Sequence, residues 1–178
     1  SGIKFGEGKL IDHMQHDGLT CPFENWGMGC AAEWTAEEFT VSREDQDAYS
    51  AQSHQRAAHA TKEGWFDAEH ITLQAAQVKQ RADVTQDEGV RDDVTAESLG
   101  KLRPAFAKEG TVTAGNASQL SDGGAAIIVA SPKTEGEVLA RIVDYHTQGV
   151  DPKAIFTAPG LGIASLLERN NLTKADID

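Results

Sequence analysis

Residues 116–131, Asn116-Ala117-Ser118-Gln119-Leu120-Ser121-Asp122-Gly123-Gly124-Ala125-Ala126-Ile127-Ile128-Val129-Ala130-Ser131, join a polar turn to an unbroken apolar run. A short, wholly apolar run of this kind predicts a strand buried on both faces. Asn116 and Ser118 stand where a turn can present polar groups beside the end of that strand. Gly123 and Gly124 allow close backbone approach where it begins. Two-faced burial requires helices on both sides and at least one neighbouring strand. Without them, open edges and apolar faces are an aggregation hazard. The expectation is that residues 125–130 are paired and covered by another part of a larger polypeptide, a second chain or an exchanged copy. Burial of Ile127, Ile128 and Val129 by these residues alone would instead mark a self-sufficient domain.

The rest of the chain sets the class. Lys and Arg number 16 against 28 Asp and Glu, a formal net charge of −12. That field disfavours nucleic acid and anionic membranes as partners. It also opposes an anionic ligand unless local basic residues overcome it. No apolar run approaches the roughly eighteen residues of a spanning helix, and no basic start with an apolar core marks a signal peptide. Two cysteines give no disulfide framework, so a reducing compartment, the cytoplasm, is expected. Asn116-Ala117-Ser118 and Asn171-Leu172-Thr173 fit the glycosylation pattern, which has little weight without a secretion signal.

The first hundred residues read as a mixed, loop-rich α+β module. Met28 to Phe39 predicts a short helix with Ala32, Ala36 and Phe39 inward. Ser42, with Asp45 three residues on, is an N-cap for a helix running to about Lys62. Ala48, Ala51, Gln55 and Ala58 lie along one face of it, and Gly64 is placed to stop it. Ile71, Leu73, Ala75 and Gln77 alternate in strand fashion. Gln86-Asp87-Glu88-Gly89 signals a turn, and Thr95 caps a second short helix carrying Ser98 towards Leu102.

The stretch 116–131 closely resembles the Asn-Ala-Ser-x-x-x-Asp-Gly-Ala-Ala signature of the thiolases, enzymes that make or cleave 3-ketoacyl-CoA thioesters. The resemblance extends over nearly all of the chain. It runs through Lys101-Leu102-Arg103-Pro104-Ala105-Phe106 and Lys108-Glu109-Gly110-Thr111-Val112-Thr113-Ala114-Gly115. It continues in Ser42-Arg43-Glu44-Asp45-Gln46-Asp47, Ser53-His54-Gln55-Arg56-Ala57, Gly8 to Asp12 and His16-Asp17-Gly18-Leu19. Val150-Asp151-Pro152-Lys153 and Ala158-Pro159-Gly160 resemble the opening of the second catalytic half. The implied fold is α/β and thiolase-like: a loop domain over 1–119 that binds coenzyme A, the end of the N-terminal core domain over 120–139, and the start of the C-terminal core domain over 140–178. The catalytic groups of the family, a nucleophilic cysteine before the matched region and an Asn-Glu-Ala-Phe segment, a Gly-His-Pro histidine and a Cys-x-Gly cysteine after it, are not represented.

The resemblance implies a set of coenzyme A contacts. Arg91 aligns with the family arginine at the nucleotide end, where a guanidinium suits phosphate or stacking on adenine. Ser98 aligns with a serine near the adenine. Phe106 and Ala114 would line the pantetheine channel, and Ser118 would hydrogen-bond a pantetheine amide. Each has a plainer reading: Arg91 as a surface arginine, Ser98 as a helix residue, Phe106 as core. Cys30 lies at a helix start, which can lower a thiol pKa, but aligns with a variable position, and Cys21 has no better claim to catalysis. His13 and His16 suggest metal ligation only weakly, because no carboxylate or thiol completes a site; a structural or surface role is expected. His54 and His59 are expected to face solvent or partners. Gly160-Leu161-Gly162 reads as a turn rather than an anion site. Gly27-Met28-Gly29 stands where many short-chain thiolases have His-Met-Gly, and Trp34 where a small polar residue is common, so acyl-chain length stays open.

Two functions from different classes remain. One is the central part of an acyltransferase with coenzyme A as substrate and no permanent cofactor or metal, assembled as a dimer or tetramer. The other is a non-catalytic thiolase-like module that binds acyl-CoA or mediates assembly.

Overall fold

The protein is described by a computed structural model over residues 5–121 and 123–177. Asp122 of the quoted stretch lies outside the described residues. The chain divides into two compact units, Ala36–Gln119 and a second joining Ser1–Thr35 to Leu120–Asp178.

Ala36–Gln119 is organised by one long helix. After α1 (Met28–Glu38), helix α2 (Arg43–Lys62) starts at Ser42, whose Oγ accepts from the Asp45 amide at 3.0 Å. That is the cap expected from the sequence. Gly64 follows the last turn at φ +70°, the left-handed conformation that ends helices without a Cβ penalty. The interior face of α2 differs from the expected one. Asp47, Ala51 and Ala60 are buried, whereas Ala48 and Gln55 are exposed. The face is set by packing on the short helix α4 (Ala96–Gly100), where Ala51, Val94 and Leu99 form the core.

The expected strand over 71–78 does not form. Leu73 makes a single antiparallel bridge with Val84, and the chain then turns into the one-turn helix α3 (Ala75–Val78). Gln74 and Gln77 explain the switch: their side chains and backbones cap one another reciprocally, a local arrangement that competes with a ladder.

The other unit contains a two-residue antiparallel hairpin, β1 (Thr20–Cys21) and β2 (Trp26–Gly27), with Thr20 opposite Gly27. In α1 the fully buried position is Ala31; Ala32 and Ala36 are half-buried and Phe39 is exposed. The Lys153 ammonium lies 5.7 Å from the centre of the Trp34 ring, a cation–π distance. Helix α5 (Ala158–Arg169) begins with Pro159 in its first turn and contains Gly160 and Gly162, which are therefore helical and not a turn. Ahead of it, the Asp144 carboxylate accepts from Arg169 Nε at 2.7 Å and Asn170 Nδ2 at 2.8 Å.

Residues 125–130 form no strand pairing, and Ile127, Ile128 and Val129 are 86%, 94% and 74% exposed. The chain does not bury them by itself. Val138 and Leu139, at the end of the stretch expected to close the first core domain, and Ile142 and Val143, where the second is expected to open, are likewise exposed and outside helix or strand.

Candidate functional site

The sequence-predicted contact residues all fall within Ala36–Gln119, on two loops and on α4, which packs on α2. The first loop is a hairpin-like return. Pro104 and Thr113 make an antiparallel bridge, and the Ala105 amide donates to the Val112 carbonyl at 2.9 Å. Phe106 lies in the bend between them, 46% exposed, so it is not simply core.

A tight turn follows. Thr113, fully buried, donates its amide to Asn116 Oδ1 at 2.7 Å. Its carbonyl accepts from the Asn116 and Ala117 amides at 3.3 and 3.0 Å, and its Oγ1 accepts from the Gly115 amide at 3.2 Å. The short Asn side chain closes its own turn, as Asx motifs do. Gly115 is required by space: a Cβ there would lie 2.5 Å from Leu99 Cδ2 and 2.6 Å from Leu102 Cδ1. Ala114 and Ser118 flank Asn116 and are both exposed.

Beneath the turn is an ion pair. Arg43 Nε donates to Asp47 Oδ2 at 2.7 Å, with side-chain exposures of 19% and 4%. Asp47 Oδ1 accepts from Asn116 Nδ2 at 3.1 Å, and the same amide reaches the Thr111 carbonyl at 3.1 Å. A terminal Arg43 nitrogen donates to the Leu99 and Leu102 carbonyls at 2.8 and 3.0 Å, at the end of α4. A guanidinium suits carbonyls left open at a helix C-terminus. Sequence reasoning missed Arg43 and Asp47 as site residues. Their signal was available: an i,i+4 charged pair on the same helical face as Ala51.

The second loop carries Arg91 and leads into α4, which carries Ser98. The Arg91 amide donates to His54 Nδ1 at 3.4 Å, which turns His54 to this loop rather than to solvent alone. The Arg91 side chain is exposed, and among the described residues its guanidinium has no ion-pair partner. Ser98 is committed locally. Its Oγ accepts from the Thr95 amide at 3.0 Å and donates to the Thr95 carbonyl at 2.9 Å. With its one proton used, the hydroxyl retains only acceptor capacity.

Other candidates fall elsewhere. His13 and His16 both contact Asp17, so a carboxylate does stand beside them, and hydrogen bonds from His16 first and then His13 lower its pKa. Even so, the described residues contain no group of three or more His, Cys, Asp or Glu able to hold a metal ion. Cys21 is buried in β1 and Cys30 half-buried in α1. No helix among the described residues is long and apolar enough to cross a membrane.

Comparison with known proteins identifies the family. Residues 1–133 match the family model described as "Thiolase, N-terminal domain". The "probable acetyl-CoA acyltransferase" of Staphylococcus aureus strain COL is 41% identical over 182 residues, covering 99% of this chain and 46% of that protein. An Ascaris suum thiolase solved in complex with coenzyme A superposes with a TM-score of 0.80 at 32% identity, covering 99% of this chain and 46% of that one. The acetyl-CoA acetyltransferase of Syntrophomonas wolfei gives 0.77 at 28% identity, over 99% and 45%. This chain thus spans about half the length of the relatives it matches. Its fold is a portion of the thiolase fold, and the chain belongs to the thiolase family.

Proposed function

We propose that these residues are the coenzyme-A-binding central part of a thiolase-type acyltransferase that makes or cleaves 3-ketoacyl-CoA through an acyl-cysteine intermediate. The catalytic groups lie outside residues 1–178, and neither Cys21 nor Cys30 is the nucleophile. In the complete enzyme a thiolate takes the acyl group, and an oxyanion hole stabilises the thioester enolate and tetrahedral intermediates. Residues 1–119 act as the loop domain, 120–139 end the first core domain and 140–178 open the second. The complete protein works in the cytoplasm as a homo-oligomer.

The observation carrying this reading is the likeness over nearly the whole chain to a thiolase solved with coenzyme A bound. Within it, Arg91 is the contact for the nucleotide end. Its exposed guanidinium offers the local positive charge that a polyanionic ligand needs against a net charge of −12. Ser98, limited to accepting, suits an N–H donor such as the adenine amino group. Phe106 and Ala114 flank the pantetheine arm and Ser118 hydrogen-bonds one of its amides.

Arg91→Ala in the complete enzyme tests the reading. The Michaelis constant for coenzyme A should rise on the order of tenfold, with a smaller change in turnover, because the group is remote from the chemistry. Unchanged saturation by coenzyme A would remove Arg91 from the site. In the same assay, the purified 178-residue chain should show no thiolysis.

A further inference from the structure

The Arg43–Asp47 pair is placed where charge is costly. Helices α2 and α4 could pack on apolar side chains alone, and replacing a buried ion pair by apolar groups is often neutral or stabilising. What an apolar pair lacks is direction. Asp47 Oδ2 is held by Arg43, which leaves Oδ1 aimed at Asn116 Nδ2. That contact orients the Asn116 amide plane, so that Oδ1 meets the Thr113 amide while Nδ2 spans Asp47 and the Thr111 carbonyl. Through its other nitrogen, Arg43 secures the carbonyls at the end of α4, whose Leu99 lies against Gly115. One ion pair on α2 therefore governs both the turn carrying Ala114 and Ser118 and the helix carrying Ser98.

We infer that Arg43 and Asp47 are positioning residues, which touch no ligand and hold the 113–118 turn in the shape that receives the pantetheine arm of coenzyme A. This rests on the coenzyme A reading above. Asp47→Asn in the complete enzyme is nearly isosteric but sets an amide donor against either Arg43 or Asn116. Helical content by circular dichroism should be retained. Hydrogen exchange at the Thr113 and Ala117 amides should accelerate about tenfold or more, and the calorimetric dissociation constant for coenzyme A should rise about tenfold.

The double substitution Arg43→Met with Asp47→Leu supplies the second variant. An apolar pair keeps α2 and α4 packed but gives the Asn116 amide no direction. Exchange should be as fast and affinity as low as in Asp47→Asn, and this variant carries the test where the single substitution does not fold. Unchanged exchange in Asp47→Asn, or in the double variant, overturns the inference. So does faster exchange with unaltered affinity for coenzyme A while Arg91→Ala still weakens it. If neither Asp47→Asn nor Arg91→Ala alters affinity, the coenzyme A reading itself falls and takes the ligand part of the inference with it.

Discussion

Replacing Gly115 by alanine isolates how tightly the 113–118 turn is seated on α4. The residue is not among those at positive φ, so alanine can adopt its backbone without strain. Loss of unfolded-state freedom alone would then stabilise the protein by about 0.4–1 kcal/mol. Against that stands the contact geometry: the new methyl meets Leu99 Cδ2 at 2.5 Å and Leu102 Cδ1 at 2.6 Å. Leu102 is 39% exposed and can swing into solvent, but Leu99 is 5% exposed and packed on Ala51 and Val94. Overpacking of this kind costs about 1–3 kcal/mol, which leaves a net loss of roughly 0.5–2 kcal/mol. Urea unfolding of the 178-residue chain, followed by far-ultraviolet circular dichroism, measures it. Leu99→Ala supplies the second arm of a double-mutant cycle. By itself it should cost about 2–5 kcal/mol. In its background the added methyl enters space already vacated, so Gly115→Ala should become neutral or favourable. Wild-type stability for Gly115→Ala, or additivity with Leu99→Ala within about 0.5 kcal/mol, refutes the steric argument.

Two further outcomes follow from the other unit. The Arg169 guanidinium, then Asn170 and the Tyr145 amide, pull the Asp144 carboxyl from 3.8 down to about 2. Because the folded value lies below the unfolded one, the stabilisation is complete above about pH 4 and is lost as pH falls through about 2. A carboxyl-carbon NMR titration should show that midpoint, and Arg169→Gln should move it upward; an unmoved midpoint removes the guanidinium as its cause. Ile128, 94% exposed, belongs to an open apolar segment. Ile128→Lys should raise the soluble concentration of the 178-residue chain and change its stability by no more than about 0.5 kcal/mol. A clear loss of stability would show that Ile128 is packed.

What the sequence by itself determined is local chemistry and family. Ser42 and Thr95 as caps, Gly64 as a stop and the extents of α1 and α2 were legible because each depends on a few neighbouring residues. The run around Asn116 carried the family because so many of its residues stand at fixed spacing. Tertiary structure alone decided which side of α2 faces inward. A helix wheel ranks Asp47 as solvated, and the packing of α4 on α2 together with the approach of Asn116 from 69 positions along the chain makes it interior. Gly115 is likewise silent in sequence, since the leucines that exclude a side chain there are brought by α4 and the residues just after it. The glycines of Gly160-Leu161-Gly162 suggested a turn, yet they lie within α5. Residues 125–130 mark the opposite limit. Their pattern names a buried strand, but a strand exists only in a ladder, and its hydrogen-bonding partners must come from elsewhere in space.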